Sequence, residues 1–250
     1  MKKKVFLLIL IAFCLLCVCA MSVLYIAEDV HKTTLSSQSG VYEFDSQSII
    51  QDIALGKTDL FSIIPNETDY ATPIPNLPPV KFTSSAYLQV IDAFDQRLYE
   101  KMANQWEYNS INYSLDCKDV YYGPQEAYFH IVGSLSSDSQ FRVDRLLYIY
   151  PYRNRVEWEE FRYDTDEFIP TFDYSEVKIS AEKALEIAEE YGGEEFRHIE
   201  NNQCLISLSI SGRQQMSYWT VRYIGDGRSY EIHVDKKNGT AQAVGQGDEK

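Results

Sequence analysis

The chain has 250 residues, a formal net charge of −14, and 45% hydrophobic and 14% aromatic residues. That is enough apolar material for one large core or two small ones. So acidic a surface repels phosphate backbones and anionic headgroups; this argues against nucleic-acid binding and leaves solubility as the plain reason for the excess acid.

Residues 1–27 read as a targeting or anchoring segment. Lys2, Lys3 and Lys4 precede an apolar run from Val5 to about Ile26, roughly the 20 residues a helix needs to span a bilayer. The lysines are expected to stay in the cytoplasm, which makes the chain single-pass with its body outside the cell membrane. The rival reading is a signal peptide cleaved near Ala20, after Val18-Cys19, with the rest secreted. The apolar run continues past that site, which favours the anchor. Cys14, Cys17 and Cys19 each lack the small preceding residue of a lipoprotein processing site.

Residues 28–82 read as a tether. Thr33 to Gly40 is rich in Ser and Thr, and Pro65, Pro73, Pro75, Pro78 and Pro79 stiffen its second half. Within it, Ser48 to Leu55 predicts a short helix that buries Ile49, Ile50 and Ile53 and ends at Gly56. The unit from 83 to 170 begins with a helix from Ser84 to about Ala103. Its stripe is Tyr87, Ile91, Phe94, Leu98 and Met102. A loop through Trp106 and Cys117 is expected next, then strands at Glu126–Gly133, Phe141–Tyr152 and Arg155–Tyr163.

The unit from 171 to 250 is the most legible. Ser180 is a helix cap, Ala181, Ala184, Leu185, Ala188 and Tyr191 form an apolar stripe, and Gly192-Gly193 end the helix. Strict alternation comes next. Ile206, Leu208 and Ile210 alternate with serines, Trp219, Val221 and Tyr223 with polar residues, and so do Tyr230, Ile232 and Val234. Asp226-Gly227 and Asn238-Gly239 suit type I′ hairpin turns, in which both central residues have positive φ.

Ile179-Ser180-Ala181-Glu182-Lys183-Ala184-Leu185-Glu186-Ile187-Ala188, Tyr218-Trp219-Thr220-Val221, Tyr230-Glu231-Ile232-His233-Val234-Asp235 and Asn238-Gly239 together resemble the PepSY and PepSY-like family over residues 179–244. Family members more often have threonine before that last glycine. The 83–170 unit reads as a weaker copy: Tyr128-Phe129-His130-Ile131-Val132 parallels Tyr218-Trp219-Thr220-Val221-Arg222, and Leu147-Tyr148-Ile149 parallels Tyr230-Glu231-Ile232. The expected fold class is α+β: an N-terminal transmembrane helix, then helix-plus-antiparallel-sheet units, PepSY-like and duplicated.

The candidate chemistry is sparse. His31, His130, His198 and His233 do not stand at metal-ligand spacing with another His or Cys. Asp164, Asp166 and Glu167 form an acidic loop without the glycine and spacing of a calcium loop, and adjacent strand residues such as Glu159 and Glu160 face opposite ways. No nucleophile elbow or phosphate-cradling glycine loop occurs. The reading is therefore of no catalytic residue, no cofactor and no metal. Trp219 is placed in the core by its alternation frame. Tyr121, Tyr122, Tyr150 and Tyr152 are candidates for a binding surface, and the polar strand faces bearing Tyr218, Arg222 and His233 are another. Cys117 and Cys204, the cysteines outside the apolar segment, are either bridged or two buried thiols.

The PepSY resemblance implies a non-catalytic role: restraining or regulating a peptidase, or serving as a sensory or binding domain of the cell envelope, with a protein or peptide as partner. A structural adaptor in an envelope complex is the second hypothesis. A hydrolase using Asp164, Asp166 or Glu167 is the third.

Overall fold

The computed structural model describes residues 33–64, 81–98, 106–134, 141–164, 169–212 and 217–248. The expected anchor, the proline-rich stretch from Pro65 to Pro79, Met102, Asp166, Glu167 and His31 lie outside the described residues. Among the described residues no helix is long and apolar enough to cross a membrane.

In chain order the elements are β1 (Thr33–Glu43), α1 (Ile49–Ala54), β2 (Ser62–Ile63), α2 (Ser84–Leu98), β3 (Trp106–Asp116), β4 (Glu126–Ser134), β5 (Phe141–Tyr150), β6 (Arg155–Asp164), α3 (Ala181–Ala188), α4 (Glu194–Ile199), β7 (Leu205–Ser211), β8 (Tyr218–Ile224), β9 (Arg228–Asp235) and β10 (Ala241–Asp248). The strands make one ten-stranded sheet in the order β10-β9-β8-β7-β3-β4-β5-β6-β1-β2. Every neighbouring pair is antiparallel.

This corrects the expectation of separate helix-on-sheet units. Two four-strand meanders are present, β3 to β6 and β7 to β10, but β3 pairs with both β4 and β7 and fuses them into one sheet. β3 also replaces the expected loop. Its apolar residues Ile111, Tyr113 and Leu115 alternate with Asn112 and Ser114, polar residues of low strand propensity. What makes it a strand is a partner on each side, with Tyr113 opposite Leu208 on β7 and opposite Ala127 on β4.

The tether is corrected in part as well. The Ser/Thr-rich stretch forms β1 and pairs with β6 from Thr33↔Asp164 to Glu43↔Arg155. Its side chains carry no apolar pattern, yet the backbone groups of β6 need a ladder on that side. The short helix α1 does form, and Gly56 after it has a φ of +69°.

One face of the sheet carries the core. Ile111, Tyr113, Phe129, Leu147, Val156, Leu208, Trp219, Val221 and Ile232 all point there, and α2 and α3 lie over them. Tyr87 of α2 packs on Tyr113 and Phe129, and Phe94 packs edge-on against Tyr42. Two helices of one layer meet at Glu182, whose carboxylate accepts from both the backbone N–H and the hydroxyl of Ser84 at the start of α2. Ser180 caps α3, accepting from the Lys183 N–H.

The helix break at Gly192-Gly193 is real but short. Gly192 has a φ of +110°, and the chain then re-enters helix as α4. A Cβ on Gly193 would overlap the Tyr223 ring. The close approach lets Glu189 accept from the Tyr223 hydroxyl at 2.7 Å and from Arg197 Nε at 2.8 Å. The hairpin turns also differ from the type I′ expectation. Gly227 and Gly239 have positive φ, whereas Asp226 and Asn238 do not. After β9 the Asp235 carboxylate accepts from the Lys237 and Asn238 N–H groups and sets a longer turn.

One buried charge group interrupts the apolar face. Register places Arg145 opposite Glu160, both 1% exposed, with a 3.0 Å ion pair between them. Asp95 of α2 and Arg162 complete the group, each paired with one of the two.

Candidate binding face

Period-two alternation puts the polar half of every strand on the other face of the sheet. The buried residues of α2 and α3 all belong to the core on the first face. Among the described residues, only the segment around Ile169 crosses a corner of the second face, resting on Val132 and Phe161. Most of the rest is half-exposed, with Arg155 and Ser229 buried among it, and it falls into two regions.

The region over β3 and β7–β9 is rich in hydroxyls: Ser110, Ser114, Ser207, Ser209, Ser211 and Thr220. It contains the surface expected from sequence. Tyr218 stacks on His233 with ring centroids 3.8 Å apart. His233 Nε2 lies 2.8 Å from Glu231 Oε1, and Arg222 reaches the Ser229 hydroxyl at 3.5 Å. Structure thus brings Tyr218, Arg222 and His233 onto one face and engages each with a neighbour. Ser207 likewise donates to Asn112, so that side chain is held within the sheet face.

The region over β4–β6 is aromatic and acidic. Tyr128 and Tyr148 lie across a strand pair with centroids 5.0 Å apart, and Glu157 sits opposite Tyr148. Tyr150 and Tyr152 meet edge to face, and the Arg153 guanidinium stands 5.4 and 5.1 Å from their rings. Beside them opens a cleft of about 520 Å³ lined by Ser114, Asp116, Lys118, Glu126, Tyr152 and Arg153. Glu126 is its organising carboxylate. It accepts from the Tyr152 hydroxyl at 2.5 Å and from the Ser114 hydroxyl at 3.3 Å.

Electrostatics set what these groups can do. Burial, then the Glu126 carboxylate, hold the Tyr152 phenol well above its ordinary range. Burial and the neighbouring Glu157 and Glu126 push Tyr150 up to about 12. Burial also raises Glu157, against the opposing pull of Arg155 and Arg153. The phenols stay protonated at physiological pH, so they donate hydrogen bonds and offer ring faces rather than act as nucleophiles. Among the described residues no three His, Cys, Asp or Glu side chains group as metal ligands. The arrangement suits recognition by stacking and hydrogen bonding.

Cys117 and Cys204 are bridged, with Cα atoms 5.2 Å apart. The bridge ties the end of β3 to the start of β7, and the Cys117 N–H also donates to the Cys204 carbonyl. His130 lies 3.1 Å from Asp144, and His198 is exposed beside Glu194. Of the acidic loop, Asp164 ends β6.

No family model and no curated protein matches this chain. Among solved structures it is similar to a protein from Clostridium difficile described as a putative lipoprotein, at 14% identity and a TM-score of 0.44, over 68% of this chain and 96% of that one. A likeness that slight assigns neither fold nor function. The PepSY resemblance therefore rests on the residues quoted for it.

Tyr150 and Tyr152 stand out in the sequence as candidates, whereas Glu126 and Ser114 do not. These two are register partners on β3 and β4, and with β3 read as a loop nothing could pair them. The available signal was the alternation of Ile111, Tyr113 and Leu115.

Proposed function

We propose that this chain is a non-catalytic binding or regulatory protein of the cell envelope. Residues 1–27 anchor it in the membrane or export it, and the body lies outside the cytoplasm. Its partner is a protein or peptide that docks on the helix-free face of the sheet, around Tyr128, Tyr148, Tyr152 and the Glu126 cleft. The observation that carries this reading is the one-sided sheet: a dry core under one face, and tyrosines, hydroxyls and carboxylates half-exposed on the other. Tyrosine supplies contact area at low rotamer cost, and its hydroxyl adds direction. The PepSY resemblance supports a regulatory role, with a peptidase or a sensory system of the envelope as the setting.

The test uses a photo-crosslinking residue placed singly at Tyr148, and at Glu186 on the exposed side of α3, in cells. A discrete crosslinked partner at Tyr148 and none at Glu186 is expected. The purified chain should hydrolyse no peptide, ester or phosphate substrate. Turnover that Glu126→Gln abolishes would replace the binding protein with an enzyme.

A further inference from the structure

We infer that the outer edge of β10 is a second docking site, which takes an extended, basic segment of a partner protein by strand addition. β10 closes the sheet and, among the described residues, pairs with β9 alone. Among the described residues, its other side is a row of backbone donors and acceptors without a ladder. Natural sheets usually guard such an edge with charge or proline. Here Ala241 to Gly247 has neither; charge comes only with Asp248 at the end of the strand, and a bulge lies between Ala243 and Gly245. Val244, at the bulge, is 51% exposed. A Cβ built on Gly245 would meet nothing within 4 Å, so the sheet face is open at that point of the strand.

The helical layer gives this edge a chemical character. Gln246 of β10 pairs with Tyr230, and the Tyr230 hydroxyl donates to the Tyr191 carbonyl at 2.8 Å. Tyr191 is itself 51% exposed, an apolar ring turned to solvent next to an open edge. Around it Glu190, Glu194 and Glu195 are exposed and border a hollow of about 610 Å³. Glu189, the fourth acid there, is committed to Arg197 and Tyr223.

Charge complementarity selects the occupant. A second copy of this chain would bring a net charge of −14 of its own, and like charges oppose close pairing. A strand alternating Lys or Arg with apolar residues suits both features. Its backbone completes the β10 ladder, and its cations, all on one face of the added strand, meet the carboxylates of the helical layer while its apolar side chains turn to the other face. This site is separate from the tyrosine face, and its failure leaves that reading standing.

The experiment uses the full chain in detergent and fluorescence anisotropy with short labelled peptides. A peptide alternating lysine with valine should bind about tenfold tighter than one alternating glutamate with valine, the equivalent of one well-made charge-assisted contact. N-methylation of alternate residues along one edge of the basic peptide should abolish binding, because it removes the ladder donors. Glu190→Gln with Glu195→Gln should weaken the basic peptide and flatten its salt dependence, with the melting midpoint unchanged. Gln242→Pro and Ala243→Pro are made singly, since neighbouring N–H groups point to opposite edges and one of the two leaves the β9 ladder intact. The variant that melts normally should lose the peptide. Equal binding of the two peptides, or indifference to N-methylation, overturns the proposal. So does a dimer in sedimentation that the same proline variant dissolves, which would make the occupant a second copy.

Discussion

Trp219 shows how much one residue joins. Its ring is fully buried on the helix side of the sheet, 6.1 Å from Tyr113 on β3, and its Nε1 donates to the Ile179 carbonyl at 2.8 Å. It therefore fixes the entry of α3 to the sheet as well as filling the core. Trp219→Ala should cost about 3–5 kcal/mol, the usual range for truncating a large buried aromatic. Trp219→Phe keeps most of the packing but leaves that carbonyl without its donor, so a smaller loss, of about 1–3 kcal/mol, is expected. Urea denaturation of the purified chain reads both. A midpoint that does not move for Trp219→Ala would mean that the ring is not packed.

At the scale of elements, α3 and α2 depend on each other through Glu182. A helix start leaves N–H groups without intrahelical partners, and a side-chain acceptor stabilises it. In the first turn of α2, Thr83 Oγ1 accepts from the Ala86 N–H, and the Ser84 N–H obtains its acceptor from α3, almost a hundred residues later in the chain. Glu182→Ala should therefore destabilise the protein by about 0.5–2 kcal/mol. Its signature is specific: amide exchange should quicken in the first turn of α2, around Ser84 to Tyr87, while α3, which carries the substitution, keeps its protection. Faster exchange confined to α3 would show that Glu182 acts only within its own helix.

For the whole molecule, the shared sheet predicts a shared fate. The two meanders bury their apolar faces in one core, and the Cys117–Cys204 bridge spans 87 residues between them. Closing a loop of that size restricts the unfolded chain, so reduction should lower stability by about 4–5 kcal/mol. The oxidised protein should unfold in one transition seen alike by tryptophan fluorescence and far-UV circular dichroism. Two separated transitions would mean that the halves fold independently after all. The buried Arg145–Glu160 pair draws on β5, β6 and α2, so it links the strand register to the helical layer in the same core.

What could be read from the residues was local. The stripe of α2 through Tyr87, Ile91 and Phe94, the cap of α3 and its stripe from Ala181 to Ala188, the strands with clean apolar alternation and the inward placement of Trp219 come from periodicity, which depends only on neighbours in the chain; Tyr191, expected in the same stripe, lies past the end of α3 and is exposed. Strand pairing was not legible, because β1 and β3 are strands by virtue of partners far away in sequence. Thr33 to Gly40 is polar apart from Leu35 and becomes a strand because β6 presents it with an open ladder. β3 mixes Asn and Ser with its apolar residues and is secured by β4 and β7 together. Tertiary structure alone therefore decided that there is one sheet instead of two. It decided that Glu126 meets Ser114 and Tyr152, and that β10 is left at the edge beside Tyr191. Each depends on register between distant strands, and register is set by backbone ladders and a common core that no single stretch of sequence contains.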